Sequence, residues 1–227
     1  MEVPPAPPVF YLIPGLGADE RVFQFLHLPG ETHVLRWLPP QTSGEPLPEY
    51  AARLSVAVPV ALACWLVGVS FGGVLALEIA QLRPLAQVVL ISSFVGPHEL
   101  PWPGRLARAT GLHRLLPLQL LPRLPRVAQW FFGVKTQRDY QMLKQILRDT
   151  DPEFTRWAIA QLVQWPGRPD TPVIRIHGTG DRLLPHGAAL SEYQLPGGHL
   201  IIISRAADIS RILSKLATAE NEYSERS

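Results

Sequence analysis

Ser70 lies in Gly68-Val69-Ser70-Phe71-Gly72, a G-x-S-x-G sequence between two apolar runs. A serine hydroxyl is a weak nucleophile until a base takes its proton, so its setting decides what it can do. The run "ACWLVGV" (Ala63 to Val69) reads as a buried strand. The residues from about Phe71 to Arg83, ending at Pro84, read as a helix apolar on nearly every face and therefore buried. Ser70 then occupies a sharp strand-to-helix turn. Such a turn forces an unfavourable backbone on the serine and crowds the residues two positions away on either side, where glycine relieves the clash. The helix N-terminus beneath it favours developing negative charge. This is the setting of a nucleophile elbow. The competing reading is a tight turn around a merely buried serine.

The other elements must present partners to that turn. "VFYLIPG", "THVLRWLP", "AQVVLISS", "TPVIRIHG" and the short "EYQLPG" read as further strands, in that order around the third, "ACWLVGV". "LPEYAARLSVAVPV" reads as a helix with Pro48 in its first turn, and "AADISRILSKLATA" as a closing amphipathic helix with Ile209, Ile212, Leu213 and Leu216 on one face. The tail "ENEYSERS" reads as frayed. Short apolar strands alternating with helices predict an α/β fold, a mostly parallel central sheet covered by helices on both faces. The alternation breaks between Gly96 and Gly167, where proline-punctuated helical segments form an insertion between the fourth and fifth strands. The predicted division is a core of residues 9–96 and 168–218, a helical cap at 97–167, and irregular termini at 1–8 and 219–227.

With these elements in place, the chain resembles the α/β-hydrolase fold superfamily. Its members carry the nucleophile, an acid and a histidine in that chain order, and two stretches of this chain match. "VIRIHG" runs into "TGD", placing Asp181 just past a strand end, and "LPGGHL" presents His199 after the last strand. The resemblance implies a catalytic triad of Ser70, Asp181 and His199. "PGLGADERVF" resembles the family's oxyanion loop, which implies Leu16 and Phe71 as the backbone N–H donors of an oxyanion hole. The resemblance spans roughly Val9 to Leu216. The chain departs from the pattern in three ways: there is no room for opening antiparallel strands before Val9, only a short helix fits between Asp181 and His199, and the oxyanion loop lacks an HG or HGGG sequence.

Other candidates have plainer readings. Glu99 is the alternative acid, after the fourth strand, but falls several residues late. His177 lies within a strand and reads as structural, and His186 after Pro185 as solvated. Asp181 could cap a helix over "RLLP", and Asp19 reads as the cap of a helix starting near Glu20, with a minor functional reading from its place beside the oxyanion loop. His27, His33, His98 and His113 have no metal-ligand spacing, and one cysteine, Cys64, permits neither an intramolecular disulfide nor a zinc pattern. "GLG" has no continuation into a dinucleotide-binding loop. No metal or cofactor is expected. A net charge of +2 gives no general signal for nucleic acid. No signal peptide and no membrane span are read, so a cytoplasmic location is expected.

Between Gly104 and Arg148 the insertion carries seven Arg and two Lys against one acid, Asp139. That balance reads first as a solvated face and second as a surface for an anionic substrate or interface. Trp102, Trp130, Phe131, Phe132 and Trp157 are candidates for the walls of an acyl pocket, and Pro117, Pro122 and Pro125 divide the insertion into short pieces. The expected function is a serine hydrolase that cleaves a carboxylic ester or related small acyl substrate through an acyl-enzyme on Ser70. The alternatives are another reaction of the same triad (an acyl-CoA thioesterase, a carbon–carbon bond hydrolase, a perhydrolase or a hydroxynitrile lyase) and a non-catalytic binder of small molecules.

Overall fold

The computed structural model describes residues 7–112, 125–185 and 190–224, with side chains to residue 219. His113, His186, Pro117 and Pro122 lie outside the described residues. Six strands form one sheet in the order β2-β1-β3-β4-β5-β6. They are β1 (Val9–Ile13), β2 (Glu31–Val34), β3 (Cys64–Val69), β4 (Ala86–Ile91), β5 (Val173–Gly178) and β6 (Tyr193–Leu195). Every neighbouring pair is parallel. β1 and β3 are wholly buried along their lengths, as a sheet covered on both faces requires. The chain steps from β1 to β2 on one side, then crosses to β3 on the other. Strand order thus reverses at β1/β3, where open α/β sheets form a crevice at the carboxyl ends.

Alternation divides the strand residues between two cores. Tyr11, Ile13, Leu66, Val88 and Leu90 face α1 (Leu47–Leu54) and α2 (Phe71–Ala80). Phe10, Leu12, Trp65, Val67, Val89 and Ile176 face α7 (Ile201–Ser204) and α8 (Ala206–Ser224). In α8, Ile209 and Leu213 are fully buried and Ile212 and Leu216 partly so. Cys64 is buried in the first core, and burial pushes its thiol up to about 11, so it is an inert packing group.

The strand read over Thr32 to Pro39 is shorter, ending at Val34. Beyond it the chain bends so that the Trp37 indole donates to the Ala18 carbonyl at 2.7 Å and stacks on Phe71. α1 stops at Leu54 and passes into a 3-10 turn at Ser55–Ala57. The tail read as frayed instead continues α8 to Ser224, since nothing in "ENEYS" breaks a helix.

The described part of the insertion between β4 and β5 holds α3 (Trp102–Thr110), α4 (Pro125–Phe131), α5 (Gln137–Asp149) and α6 (Pro152–Gln164). It does not sit on one side. Phe154, Trp157 and Ala158 of α6 join the α1/α2 core, whereas Ala128 of α4 and Leu143 and Ile146 of α5 join the α7/α8 core. Buried carboxylates hold both its roots. At the first, Glu99 pairs with Arg175 of β5 at 2.5 Å. At the second, Glu78 of α2, 3% exposed, accepts from the Trp165 indole at 2.7 Å and from Arg168 at 3.0 Å. A buried carboxylate is tolerable because its partners satisfy it, and removing one side strands the other. Glu78→Ala is expected to lower unfolding free energy by about 2 kcal/mol in urea titrations. Glu78→Gln, which keeps an acceptor for the indole, is expected to lose less.

Candidate functional site

Ser70 has φ 52° and ψ −118°, a left-handed conformation that costs a residue with a Cβ roughly 1–3 kcal/mol. The turn is tight enough that a Cβ on Gly68 would collide with the backbone of Gly72 and Gly73, and one on Gly72 with the carbonyls of Ile13 and Pro14. The glycines are therefore needed for close approach. The second contact also presses the loop after β1 against the elbow. Two hydrogen bonds fix the turn from the end of β4 and the loop after it: the Ser70 N–H donates to the Ile91 carbonyl at 2.9 Å, and the Ser93 hydroxyl donates to the Ser70 carbonyl at 2.7 Å.

The loops after β5 and β6 bring the other two predicted residues to Ser70. His199 Nε2 lies 3.0 Å from Ser70 Oγ, and His199 Nδ1 lies 2.8 Å from Asp181 Oδ2. His199 and Asp181 are buried, while Ser70 is partly exposed. The two loops are tied to each other, with Thr179 N–H donating to Leu195 and Gly180 N–H to Gly197. Asp181 Oδ1 accepts from the N–H groups of Leu183 and Leu184, each at 2.9 Å. No helix begins over Arg182 to Pro185, so Asp181 is not a helix cap; its Oδ1 closes a local turn while Oδ2 meets His199. Burial pushes its carboxyl up, but the charge available at His199 and the hydrogen bonds from His177, His199 and Leu184 outweigh this, and it is held well below the usual carboxylate range. A pKa depressed in the folded state stabilises the fold above the unfolded value near 3.8. That contribution is lost as pH falls below this value toward the folded pKa.

Phe71 opens α2, so its N–H has no acceptor within the helix and is free to meet an anion beside Ser70. Leu16 occupies the turn closed by Ala18 N–H to the Gly15 carbonyl, in the loop pressed on the elbow. Asp19 caps the 3-10 turn Glu20–Phe23 through Arg21 N–H and also pairs with the Arg21 guanidinium. Glu99 is committed to Arg175 and does not reach the histidine.

The five aromatics separate. Phe132 meets the site: its ring is edge-on to the His199 ring at 5.4 Å, and its carbonyl accepts from His199 N–H at 2.9 Å. Trp157 packs edge-on against Phe71 at 6.1 Å, but it is buried and bound through its indole N–H to the Glu45 carbonyl, as a core residue. Trp102, Trp130 and Phe131 are 68%, 58% and 44% exposed, which is not the burial of an enclosed pocket wall. Their helices α3 and α4 bury little, so the aromatics face outward. An open cleft of about 640 Å³ lies at the amino ends of β4 and β5, the wrong end of the sheet for Ser70.

Two contributors were not legible in the sequence. One is the Phe132 carbonyl, since a backbone group has no sequence signature. The other is His177, read as structural, whose Nε2 lies 3.0 Å from Asp181 Oδ2. The pattern H-x-x-x-D was present, but only the fold of the loop makes the two meet. Among the described residues no group of three His, Cys, Asp or Glu side chains is placed to hold a metal, and no helix is long and apolar enough to cross a membrane.

The strain at residue 70 is tied to its Cβ, so alanine does not relieve it. Ser70→Gly is expected to melt at a higher temperature than Ser70→Ala, because relief of strain exceeds glycine's entropic cost of roughly 0.5–1 kcal/mol. Equal or reversed melting temperatures would contradict a strained elbow.

The sequence pattern described as the alpha/beta hydrolase family matches residues 10–212. No curated protein matches the chain significantly. Among solved structures, the fold superposes on a thermophilic esterase from Thermogutta terrifontis with a TM-score of 0.65 and 14% identity, over 93% of this chain and 90% of that one. Carboxylesterases of the thaumarchaeon Nitrososphaera gargenis give 0.68 and 15%, over 94% and 92%. The enol-lactonase from Burkholderia xenovorans LB400 gives 0.64 and 18%, over 93% and 91%. At these identities the likeness is one of fold.

Proposed function

The chain belongs to the alpha/beta hydrolase family, and within it we propose a serine hydrolase that cleaves a carboxylic ester through an acyl-enzyme on Ser70. One observation carries this reading: the hydrogen-bonded series Ser70 Oγ, His199 Nε2, His199 Nδ1, Asp181 Oδ2, with steps of 3.0 and 2.8 Å. A base touching the nucleophile and an acid orienting the base form the constellation needed for acyl transfer. His199 takes the Ser70 proton as Oγ attacks the carbonyl carbon. The oxyanion forms against the Phe71 N–H at the start of α2 and the Leu16 N–H of the adjoining loop. Asp181, ionised and fixed by its donors, stabilises the imidazolium. His199 then returns the proton to the leaving alkoxide, and the same imidazole activates water to release the acid. The esterase, carboxylesterase and enol-lactonase neighbours favour an ester over the other bonds this triad can attack. The insertion, residues 97–167, acts in this reading as a cap whose contact with His199 passes through Phe132.

Three measurements test the proposal. A fluorophosphonate probe is expected to label wild type on Ser70 and to leave Ser70→Ala unlabelled; an unlabelled, folded wild type points to a binder. Asp181→Asn is expected to cut kcat on p-nitrophenyl acetate by about three to four orders of magnitude, because it favours the wrong histidine tautomer. Across a panel of p-nitrophenyl esters and acyl-CoA thioesters, turnover is expected with the esters. Turnover confined to the thioesters would replace the substrate class and keep the triad.

A further inference from the structure

His177 is the penultimate residue of β5 and 1% exposed. Its Nε2 lies 3.0 Å from Asp181 Oδ2 and 3.0 Å from the Leu184 carbonyl. An ionised carboxylate and a carbonyl can only accept, so Nε2 must carry the proton whatever the charge of the ring. The single Nε2–H is shared between the Leu184 carbonyl and Asp181 Oδ2, which also accepts from His199, while Oδ1 accepts from two backbone N–H groups. Leu184 is bound at both ends, its N–H to Asp181 and its carbonyl to His177. The acid loop is thus folded down onto the His177 ring, which is part of what orients the carboxylate.

One consequence follows for His199. A donor on Oδ2 withdraws charge from the oxygen that faces His199, so an imidazolium formed there is held less tightly than by a carboxylate without that donor. The other charged groups of the elements that meet here are already engaged: Arg175 of β5 with Glu99, Glu192 with the Arg175 N–H, and Arg182 with the Trp130 carbonyl and ring. We propose that His177 is a positioning residue that fixes the Asp181 carboxylate through its Nε2–H and keeps His199 in its proton-accepting form. This rests on the triad reading above and adds to it a fourth side chain that touches neither substrate nor nucleophile.

The test is the pH profile of kcat/KM on p-nitrophenyl acetate for wild type, His177→Leu, His177→Asn and His177→Gln, with Ser70→Ala as the control for the triad. Leucine supplies no donor, and asparagine stops short of Oδ2. Glutamine places an N–H near the position of Nε2. His177→Leu is expected to move the acid limb to higher pH by about half a unit to one unit. It is also expected to lower plateau kcat about tenfold with little change in KM. If His177→Leu does not fold, His177→Asn reads the same shift. His177→Gln is expected to restore the wild-type limb and most of kcat. An acid limb that stays in place in the folded leucine or asparagine variant overturns the role, as does a glutamine variant no better than asparagine. Activity surviving in Ser70→Ala instead overturns the triad, a result independent of any His177 profile.

Discussion

A serine held at φ 52° between the end of β3 and the start of α2 sets the terms for the rest of the molecule. The conformation is unfavourable on its own and persists because its surroundings leave no alternative. Gly68 and Gly72 remove the Cβ atoms that would force the turn open. The Ile91 carbonyl at the end of the neighbouring strand and the Ser93 hydroxyl just past it hold the turn. α2, buried on nearly every side, cannot shift to relax it. The outcome is a hydroxyl raised beyond the sheet edge beside an unpaired helix N–H, at the strand-order reversal where a parallel sheet opens a crevice.

The partners reach that hydroxyl from loops, which are intrinsically less rigid than the strands they extend. Here the loops are stiffened by being bound to one another. The acid loop bonds to the histidine loop at two backbone positions, and the insertion bonds to the histidine loop through Phe132. Asp181 is the node of this arrangement, with four donors on its two oxygens. A carboxylate so fully satisfied can remain ionised although buried, because each oxygen has replaced its lost water with a fixed donor.

The insertion is more than an addition on top of the core. Its last helix completes the core against α2, while its middle helices pack toward α7 and α8. Glu78 and Glu99 anchor its two roots to α2 and β5. Displacement of the segment is therefore coupled to His199, since Phe132 contacts it through both its carbonyl and its ring.

Much of this was legible in the sequence. Short apolar runs separated by prolines and glycines determined the six strands and their alternation with helices, because local periodicity reports burial directly. The G-x-S-x-G stretch located Ser70, because a sharp turn imposes its own residue types. Chain order pointed to Asp181 and His199. Several assignments were decided only by tertiary packing. Glu99 and Arg175 lie 76 residues apart in the chain, and no local pattern joins them. Trp157 and Trp102 are alike as residues, yet one is core and the other surface, because helix amphipathicity does not say which neighbour will cover a face. His177 looked like an ordinary strand histidine, and only the folding back of the acid loop gave it a carboxylate. Sequence determines what each segment can bury; which polar groups then meet depends on where the loops return, and that is settled by the whole fold.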